Sequence, residues 1–204
     1  MKTITEISTQ KKNQKRCNLY LDGEFFCGVE LITVMQARLK VGAKISEQKL
    51  NEIVLSSERE KAMQLALNYV SRSLHTKVQI EKYLKGKGFL PEIVTEVLNK
   101  LKEYGYVNDD GYAKAYINEK KGSKGKRLIK YELKLKGVDE KIIDKELDGD
   151  FSEEEGAMRV ALKFFKGKEK TYENTVKCYR RLLSKGFDYD VAKSVVEKIK
   201  DEDL

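Results

Sequence analysis

Apolar residues recur every three to four positions from about residue 46 onward, which is the spacing of one face of an α-helix. The helical pattern itself repeats, because three Lys-Gly-apolar triplets at 87–89, 136–138 and 185–187 place their glycines 49 residues apart. Apolar positions around the triplets keep the same period: Leu84, Leu133 and Leu182; Ile93, Ile142 and Val191; Leu98, Leu147 and Val196. A fixed period of this length indicates an array of similar units, each too small to bury its apolar face alone.

Each unit is predicted to hold three helices. In the first unit, helix one runs to about Ser71, and Thr76 with Gln79 three residues later forms a capping box for helix two. Gly88 ends helix two in the left-handed conformation, and Pro91 opens helix three at a first-turn position. The acidic runs at 109–110 and 153–155 fall where the later units begin, and acidic side chains there stabilise the helix dipole.

The β pattern is confined to the first 30 residues. Strands are predicted at 3–9, 16–21 and 24–29, and the Asp-Gly pair at 22–23 favours a tight hairpin turn. With a two-residue turn, Cys17 faces Gly28 and Cys27 faces Asn18 on opposite sheet faces, which excludes a disulfide between the two cysteines. A helix over 30–39 follows, and Ser46 is predicted to cap the next helix.

We therefore predict a mostly α protein, an elongated array of three tandem three-helix repeats with a small N-terminal β-hairpin or three-stranded extension. The expected segments are 1–45 for the extension and 46–109, 110–150 and 151–204 for the repeats. Charged residues make up 36% of the chain and one proline occurs, which suits exposed helices with few rigid turns. No signal peptide or apolar run of spanning length is evident, which predicts a cytoplasmic protein with reduced thiols and no membrane partner.

Positive charge is concentrated in the second repeat. Residues 114–136 hold nine Lys and Arg side chains against Glu119 and Glu132, a local excess of seven charges in a chain whose formal net charge is +8. A basic stripe of this kind favours polyanions, because binding releases condensed counterions. A solvated, lysine-rich surface with no ligand is an equally good interpretation of the charge alone.

The residues of an enzyme are largely missing. The chain has a single histidine, His75, and the glycine-rich segment 85–88 lacks the strand and the Lys-Ser/Thr of a phosphate loop. Ser71 and Ser73 lie near His75, but they fall in a helix–helix turn where such residues are ordinary caps. We predict no enzymatic activity, no cofactor and no metal site.

Two features could serve nucleic-acid recognition. Tyrosines recur within the repeats, and we expect them to pack between helices rather than stack on bases: Tyr69, Tyr83, Tyr104, Tyr106, Tyr112 and Tyr116. The second and third helices of a unit also have the order of a helix-turn-helix. The third helix of the first unit, 90–101, carries only Lys100 against Glu92 and Glu96, which argues against reading base sequence through it.

Residues 69–72, 79–80, 84, 87–89, 101, 105–109 and 112–113 together resemble the RecX family. In that family a similar order of residues marks the first repeat and its junction with the second, and Arg127 to Ile129, Glu132-Leu133 and 136–138 are similar to the second repeat's signature. The hairpin resembles the extension of Gram-positive-type members, and the likeness covers nearly the whole chain. One departure is 73–76, where Ser-Leu-His-Thr stands in place of the family's frequent Arg-Pro-Arg-Ser turn.

The resemblance implies a regulator of the RecA recombinase, active in DNA recombination, DNA repair and the SOS response. Such proteins bind in the groove of the RecA–DNA filament, limit its growth, and suppress its ATPase and strand exchange. The implied partners are the RecA filament and single- and double-stranded DNA. A stand-alone DNA-binding protein of helix-turn-helix-like repeats is the rival hypothesis, and a pure protein scaffold is a third.

We assign the contacts with filament or DNA to the basic cluster, the hairpin tip and one turn arginine. The expected state of the isolated protein is a monomer. The candidate binding residues are Lys11, Lys12, Lys15, Arg16, Arg72, Lys120, Lys121, Lys124, Lys126, Arg127 and Lys130.

Overall fold

The computed structural model describes residues 1–11, 13–149 and 151–201, and it shows a small sheet followed by a chain of helices. The strands are β1 (Lys2–Gln10), β2 (Asn13–Leu21), β3 (Glu24–Glu30) and β4 (Lys44–Ile45). The helices are α1 (Leu31–Gln36), α2 (Glu47–Val70), α3 (Lys77–Gly86), α4 (Pro91–Glu103), α5 (Asp109–Lys120), α6 (Lys126–Leu135), α7 (Glu140–Leu147), α8 (Glu153–Phe165), α9 (Tyr172–Ser184) and α10 (Tyr189–Asp201). The prediction of a mostly α chain with an N-terminal sheet is confirmed.

The chain divides into two compact units. Unit 1 comprises residues 1–69 and 84–97, and unit 2 comprises residues 70–83 and 98 onward. The segment boundaries predicted at 45, 109 and 150 are a separate division and stay a prediction. Within the described residues, no helix is both long enough and apolar enough to cross a membrane.

The sheet of unit 1 is antiparallel, with the strand order β3-β2-β1-β4. The hairpin turn lies at Asp22-Gly23 as predicted, and both residues adopt positive φ, 51° and 89°. The two-residue strand β4 pairs with β1 and was not predicted, because two residues are too short to carry an alternating pattern. One sheet face packs with α1 and α2 around a core that includes Ile4, Leu19 and Leu50.

The predicted pairing of the two hairpin cysteines is wrong by one residue. A bulge between Leu19 and Tyr20 shifts the register, so Cys17 lies opposite Val29 and Cys27 opposite Leu19. The two cysteines therefore share one sheet face, and the prediction that they lie on opposite faces is wrong. The two thiols remain unbonded, as does that of Cys178. Burial raises the pKa of the Cys27 thiol and raises that of Cys178 to about 11, so both thiols are in their protonated, weakly nucleophilic form at neutral pH.

Helix α1 ends earlier than predicted. Its last residue is Gln36 rather than residue 39, because Arg38 takes positive φ, 50°, and reverses the chain. The Leu39 N–H then bonds to the Val34 carbonyl, which is the pattern that a glycine usually closes. Helix α2 begins as expected, with the Ser46 hydroxyl accepting a hydrogen bond from the Lys49 N–H at 3.2 Å.

Unit 2 contains two helix trios with matching cores. In α5–α7 the buried positions include Ala113, Ile129 and Leu133, and in α8–α10 they include Cys178 and Leu182. The predicted capping box at 76 and 79 is confirmed, with the Gln79 Oε1 accepting from the Thr76 N–H at 3.0 Å and the Thr76 Oγ1 accepting from the Gln79 N–H at 3.2 Å.

The three Lys-Gly-apolar triplets end their helices in the same way. Each glycine has positive φ, 87° at Gly88, 82° at Gly137 and 83° at Gly186. The apolar residue that follows donates its N–H back five residues, for example from Phe89 to the Leu84 carbonyl. The glycine itself donates back three residues, from Gly88 to the Lys85 carbonyl. This is the double hydrogen bond of the Schellman C-terminal stop, so the predicted role of Gly88 is confirmed.

Candidate nucleic-acid and filament interface

The predicted basic cluster lies in unit 2, where α5 ends and α6 begins. We call this set the loop cluster: Lys120, Lys121, Lys124, Lys126, Arg127 and Lys130. Lys121 and Lys124 lie in the turn 121–125, Lys120 ends α5, and the remaining members lie within the first five residues of α6. The sequence pattern thus places these side chains on one connected stretch of surface.

Half of the loop cluster is paired with acidic side chains. Lys124 Nζ lies 2.5 Å from Glu132, and Lys130 Nζ lies 2.5 Å from Asp144 and 2.9 Å from Glu140. These ion pairs are partly exposed, and each one cancels charge that a DNA phosphate would otherwise meet. The pairing also holds the pKa of Glu140 down to about 2, through hydrogen bonds from Lys134 and Lys130.

Lys120 is similarly paired with Glu119 at 2.6 Å. The excess of seven charges already subtracts Glu119 and Glu132, but two further carboxylates contact the cluster through Lys130 and make the local field weaker than that count. Two of the acids, Asp144 and Glu140, come from α7 and lie outside the window in which the charges were counted.

The side-chain cations of the other half of the cluster form no ion pair within the described residues. Lys126 Nζ lies 5.5 Å from the centre of the Phe151 ring, and the Arg127 guanidinium lies 5.4 Å from the centre of the Tyr189 ring. Cation–π contacts orient a cation without neutralising it. Together with the exposed Lys121, these two side chains form the charge that is available to a polyanion.

Helix α6 begins with two cations, which its own dipole disfavours. The compensation comes from Glu153, the first residue of α8, whose Oε1 accepts a hydrogen bond from the Lys126 backbone N–H at 2.6 Å. Glu153 is only 8% exposed. Its burial and the neighbouring Asp188 carboxyl raise its pKa, while the hydrogen bond from Lys126 opposes the shift.

We expect the substitutions Glu153→Gln and Glu153→Ala to act in different ways. The amide oxygen of Gln still accepts from the Lys126 N–H and carries no buried charge, so this variant should match or exceed the wild type in stability at pH 7. Alanine leaves the N–H without its acceptor and should cost about 1–3 kcal/mol. Urea unfolding of the three proteins measures both effects.

The pH dependence provides the control for this pair. Because the pKa of Glu153 is raised in the folded state, ionising it costs stability as the pH rises through that value. The advantage of Gln over Glu should therefore shrink between pH 7 and pH 4. An advantage that grows as the pH falls would contradict this account.

The hairpin tip belongs to unit 1 and is less uniform than its sequence indicates. Lys11 and Lys15 are exposed, whereas Arg16 is half-buried and its Nη2 donates to the Gly28 carbonyl at 3.0 Å. Arg16 thus helps to hold the strand pair together. Lys12 lies outside the described residues. Arg72 is exposed in the turn that follows α2.

Four of the six tyrosines divide into two groups. Tyr112 and Tyr116 stack with a 10° interplanar angle, and the Tyr116 hydroxyl donates to Glu132 at 2.7 Å, so packing is confirmed for these two. Tyr104 and Tyr106 are 64% and 55% exposed, so the packing prediction is wrong for them. They flank Gly105 in the turn after α4. A glycine between two tyrosines indicates a turn, and this signal could have predicted that both rings are exposed.

The turn after α2 brings the Ser73 hydroxyl to 3.0 Å from His75 Nε2. Ser73 is exposed on this turn. A nucleophile and base that operate in water lack the desolvated surroundings that strengthen electrostatic catalysis. The geometry is that of a polar turn between helices, as the sequence indicated.

Comparison with known proteins places these elements in a family context. Residues 2–46 match the family model described as the regulatory protein RecX N-terminal domain, 62–101 match the RecX first three-helix domain, and 108–147 match the RecX second three-helix domain. The three matches coincide with the sheet and with two successive helix trios.

Similar proteins and structures extend over nearly the full chain. The regulatory protein RecX of Clostridium beijerinckii is 34% identical over 206 residues, covering 98% of this chain and 96% of its own. That of Bacillus subtilis is 32% identical, covering 99% and 79%. A crystal structure of a regulatory protein RecX aligns with a TM-score of 0.66 at 31% identity over 99% of this chain and 100% of its own. The RecX structure from Lactobacillus salivarius aligns at 0.64 with 27% identity, over 71% and 98%.

Proposed function

Since the chain belongs to the RecX family of regulatory proteins, we propose that it is a negative modulator of the RecA recombinase. It binds along the groove of the RecA–DNA filament and inhibits filament growth, ATP hydrolysis and strand exchange. The observation that carries the proposal is the match to regulatory RecX proteins across the sheet and the helix trios, at 34% identity over 98% of the chain. A role in recombination, repair and the SOS response follows from the same proposal, and a cytoplasmic location stays a prediction.

The surface chemistry supports a DNA component of the interaction. The side chains of Lys121, Lys126 and Arg127 present positive charge and form no ion pair among the described residues, at the meeting point of two helices. Phosphate contacts of this type fix position and affinity without reading sequence. This observation also favours the rival function, a stand-alone DNA-binding protein that does not need RecA.

The deciding experiment titrates the protein into RecA assembled on single-stranded DNA and follows ATP hydrolysis, beside a mobility shift on bare DNA. We expect inhibition at protein concentrations well below that of RecA, because a filament modulator blocks growth at few sites. Inhibition that begins only when the DNA itself is coated would overturn the proposal in favour of the rival function.

A further inference from the structure

Two exposed tyrosine rings lie beside the loop cluster. Tyr189, the first residue of α10, is 60% exposed, and Tyr131 on α6 is 59% exposed. Both helices belong to unit 2, as does the loop cluster. An exposed aromatic ring is ordinary when it stands alone. The charged groups around each ring therefore decide whether it has a ligand.

The ring of Tyr189 carries a cation. The Arg127 guanidinium lies 5.4 Å from the ring centre, and both side chains are exposed. The contact orients the guanidinium and leaves its charge in place. A cation that is already oriented loses less side-chain freedom when it binds a phosphate. The ring itself still has more than half of its surface in contact with solvent.

Tyr131 lies one helical turn beyond the same arginine. It follows Arg127 by four residues on α6, and both residues are exposed, so their side chains share one face of the helix. Arg127 is thus the neighbour of both rings, through the ring contact for Tyr189 and through helical spacing for Tyr131. The surface therefore alternates between aromatic rings and free positive charge.

The carboxylates beside Tyr189 restrict what this ring can meet. Asp188 precedes it and Asp190 follows it, and both are exposed. A phosphate placed on the ring would be repelled by both carboxylates. A neutral planar group is not repelled, and the exposed face of the ring attracts it by stacking. Phosphates are favoured instead on the unpaired cations of the loop cluster.

The cations beside Tyr131 are already paired. Lys130 Nζ lies 2.9 Å from Glu140 Oε1, and Lys134 Nζ lies 2.7 Å from the same oxygen. Free positive charge on this face of α6 is thus confined to the beginning of the helix. At Tyr131, as at Tyr189, the group that remains available to a ligand is the aromatic ring.

We propose that single-stranded DNA binds here with its bases stacked on the two rings and its phosphates on the three unpaired cations. We call this set the stacking surface: Tyr131, Tyr189, Lys121, Lys126 and Arg127. The inference rests on the proposed function, because it names the form of DNA that the candidate interface takes.

The rings distinguish single-stranded from double-stranded DNA. Bases of a single strand have free faces, and stacking on an aromatic side chain accepts any base. Bases of a duplex stack on one another and present only their edges in the grooves. A duplex therefore meets the cations of the stacking surface alone. Single-stranded DNA should bind more tightly than a duplex, without a preference for base sequence.

The test measures DNA binding by fluorescence anisotropy in the absence of RecA, for the wild type, Tyr131→Ala and Tyr189→Ala. The ligands are an oligothymidylate of about twelve nucleotides and an abasic strand of equal length, which has the same phosphates and no bases. The measured quantity is the ratio of the two affinities. Because Tyr189→Ala also releases Arg127 from its ring contact, an effect on phosphate binding appears on both strands and cancels in this ratio.

We expect each alanine variant to lower the ratio about tenfold, since one stacked base is lost. Tyr131→Phe and Tyr189→Phe keep the ring and should retain the ratio of the wild type. Tyr172→Ala is the matched control, because Tyr172 is also the first residue of a helix and is 81% exposed. It lies at the far end of α9, about 18 Å from the turn that leads to Tyr189, so its removal should leave the ratio unchanged.

The proposal would be overturned by a wild type that binds the abasic strand as tightly as the oligothymidylate. Alanine variants that keep the wild-type ratio, or phenylalanine variants that lose it, would overturn it as well. None of these outcomes decides the proposed function, because inhibition of RecA is scored by ATP hydrolysis. A protein that inhibits RecA at low concentration without base-dependent binding would leave the proposed function standing and the stacking surface wrong. Base-dependent binding without such inhibition would support the stacking surface in a stand-alone DNA-binding protein.

Discussion

Alanine in place of Gly125 is expected to destabilise the protein by about 3 kcal/mol. The new Cβ would lie 2.2 Å from the Gly186 carbonyl oxygen and 2.3 Å from the Phe187 nitrogen. These are backbone atoms of the next repeat, so no side-chain rotation relieves the overlap and the junction itself has to open. Gly125 has φ of −82°, which alanine adopts readily, so the loss would come from contact and not from backbone strain.

Urea unfolding followed by circular dichroism measures this loss, and Gly86→Ala is its matched control. Gly86 is the last residue of α3, and a Cβ there meets nothing within 4 Å. The same substitution should therefore raise stability by about 0.5–1 kcal/mol, because alanine loses less chain entropy than glycine on forming a helix. Equal unfolding midpoints for Gly125→Ala and wild type would show that the junction is not tightly packed.

Removal of the three unpaired cations of the loop cluster should weaken DNA binding on every sequence alike. The variant is Lys121→Ala, Lys126→Ala and Arg127→Ala combined. If each side chain contacts one phosphate, the slope of log K against log salt should fall by about 2–3. Sequence alone favours Lys124 as a member of this set, but Lys124 is already bound to Glu132, so Lys121 replaces it here.

The control for this experiment removes equal charge elsewhere in unit 2. Lys163, Lys193 and Lys200 are exposed on α8 and α10, and their combined change to alanine lowers the net charge by the same amount. Fluorescence anisotropy on a DNA oligonucleotide between low and moderate salt gives both slopes. The assignment of the contact surface would be wrong if the two triple variants changed the slope equally.

Local chemistry made much of this fold predictable. The capping box at Thr76 and Gln79, the stop at Gly88 and the turn at Asp22-Gly23 are each decided by residues a few positions apart. The hairpin register was harder to predict from the sequence, because the bulge near Tyr20 depends on how the strands twist around the core. Helix α9 likewise begins at Tyr172, three residues before the 49-residue period places it.

The candidate site was predictable in its location and not in its strength. Charge can be counted along a sequence, but Lys130 meets Asp144 only because α6 and α7 pack side by side. The burial of Glu153 beneath the start of α6 is also a tertiary effect, since the acid follows the helix it caps by 27 residues. Sequence patterns name the charged residues, and the packing of helices decides which of them remain available.

The contacts that the Lys-Gly turns make at 136–137 and 185–186 have a consequence for how such a chain can change its length. Each of these two turns ends its own helix and also contacts the beginning of the second helix of the preceding repeat, so the surfaces of neighbouring repeats are complementary to each other. A tandem duplication of one whole repeat would therefore insert a segment that fits its neighbours without any new surface. An insertion of a few residues within a helix trio would instead move the Lys carbonyl of the turn away from the acid on the first helix of the same trio, for example Lys136 from Asp109. Such arrays are therefore expected to evolve by gain or loss of entire repeats.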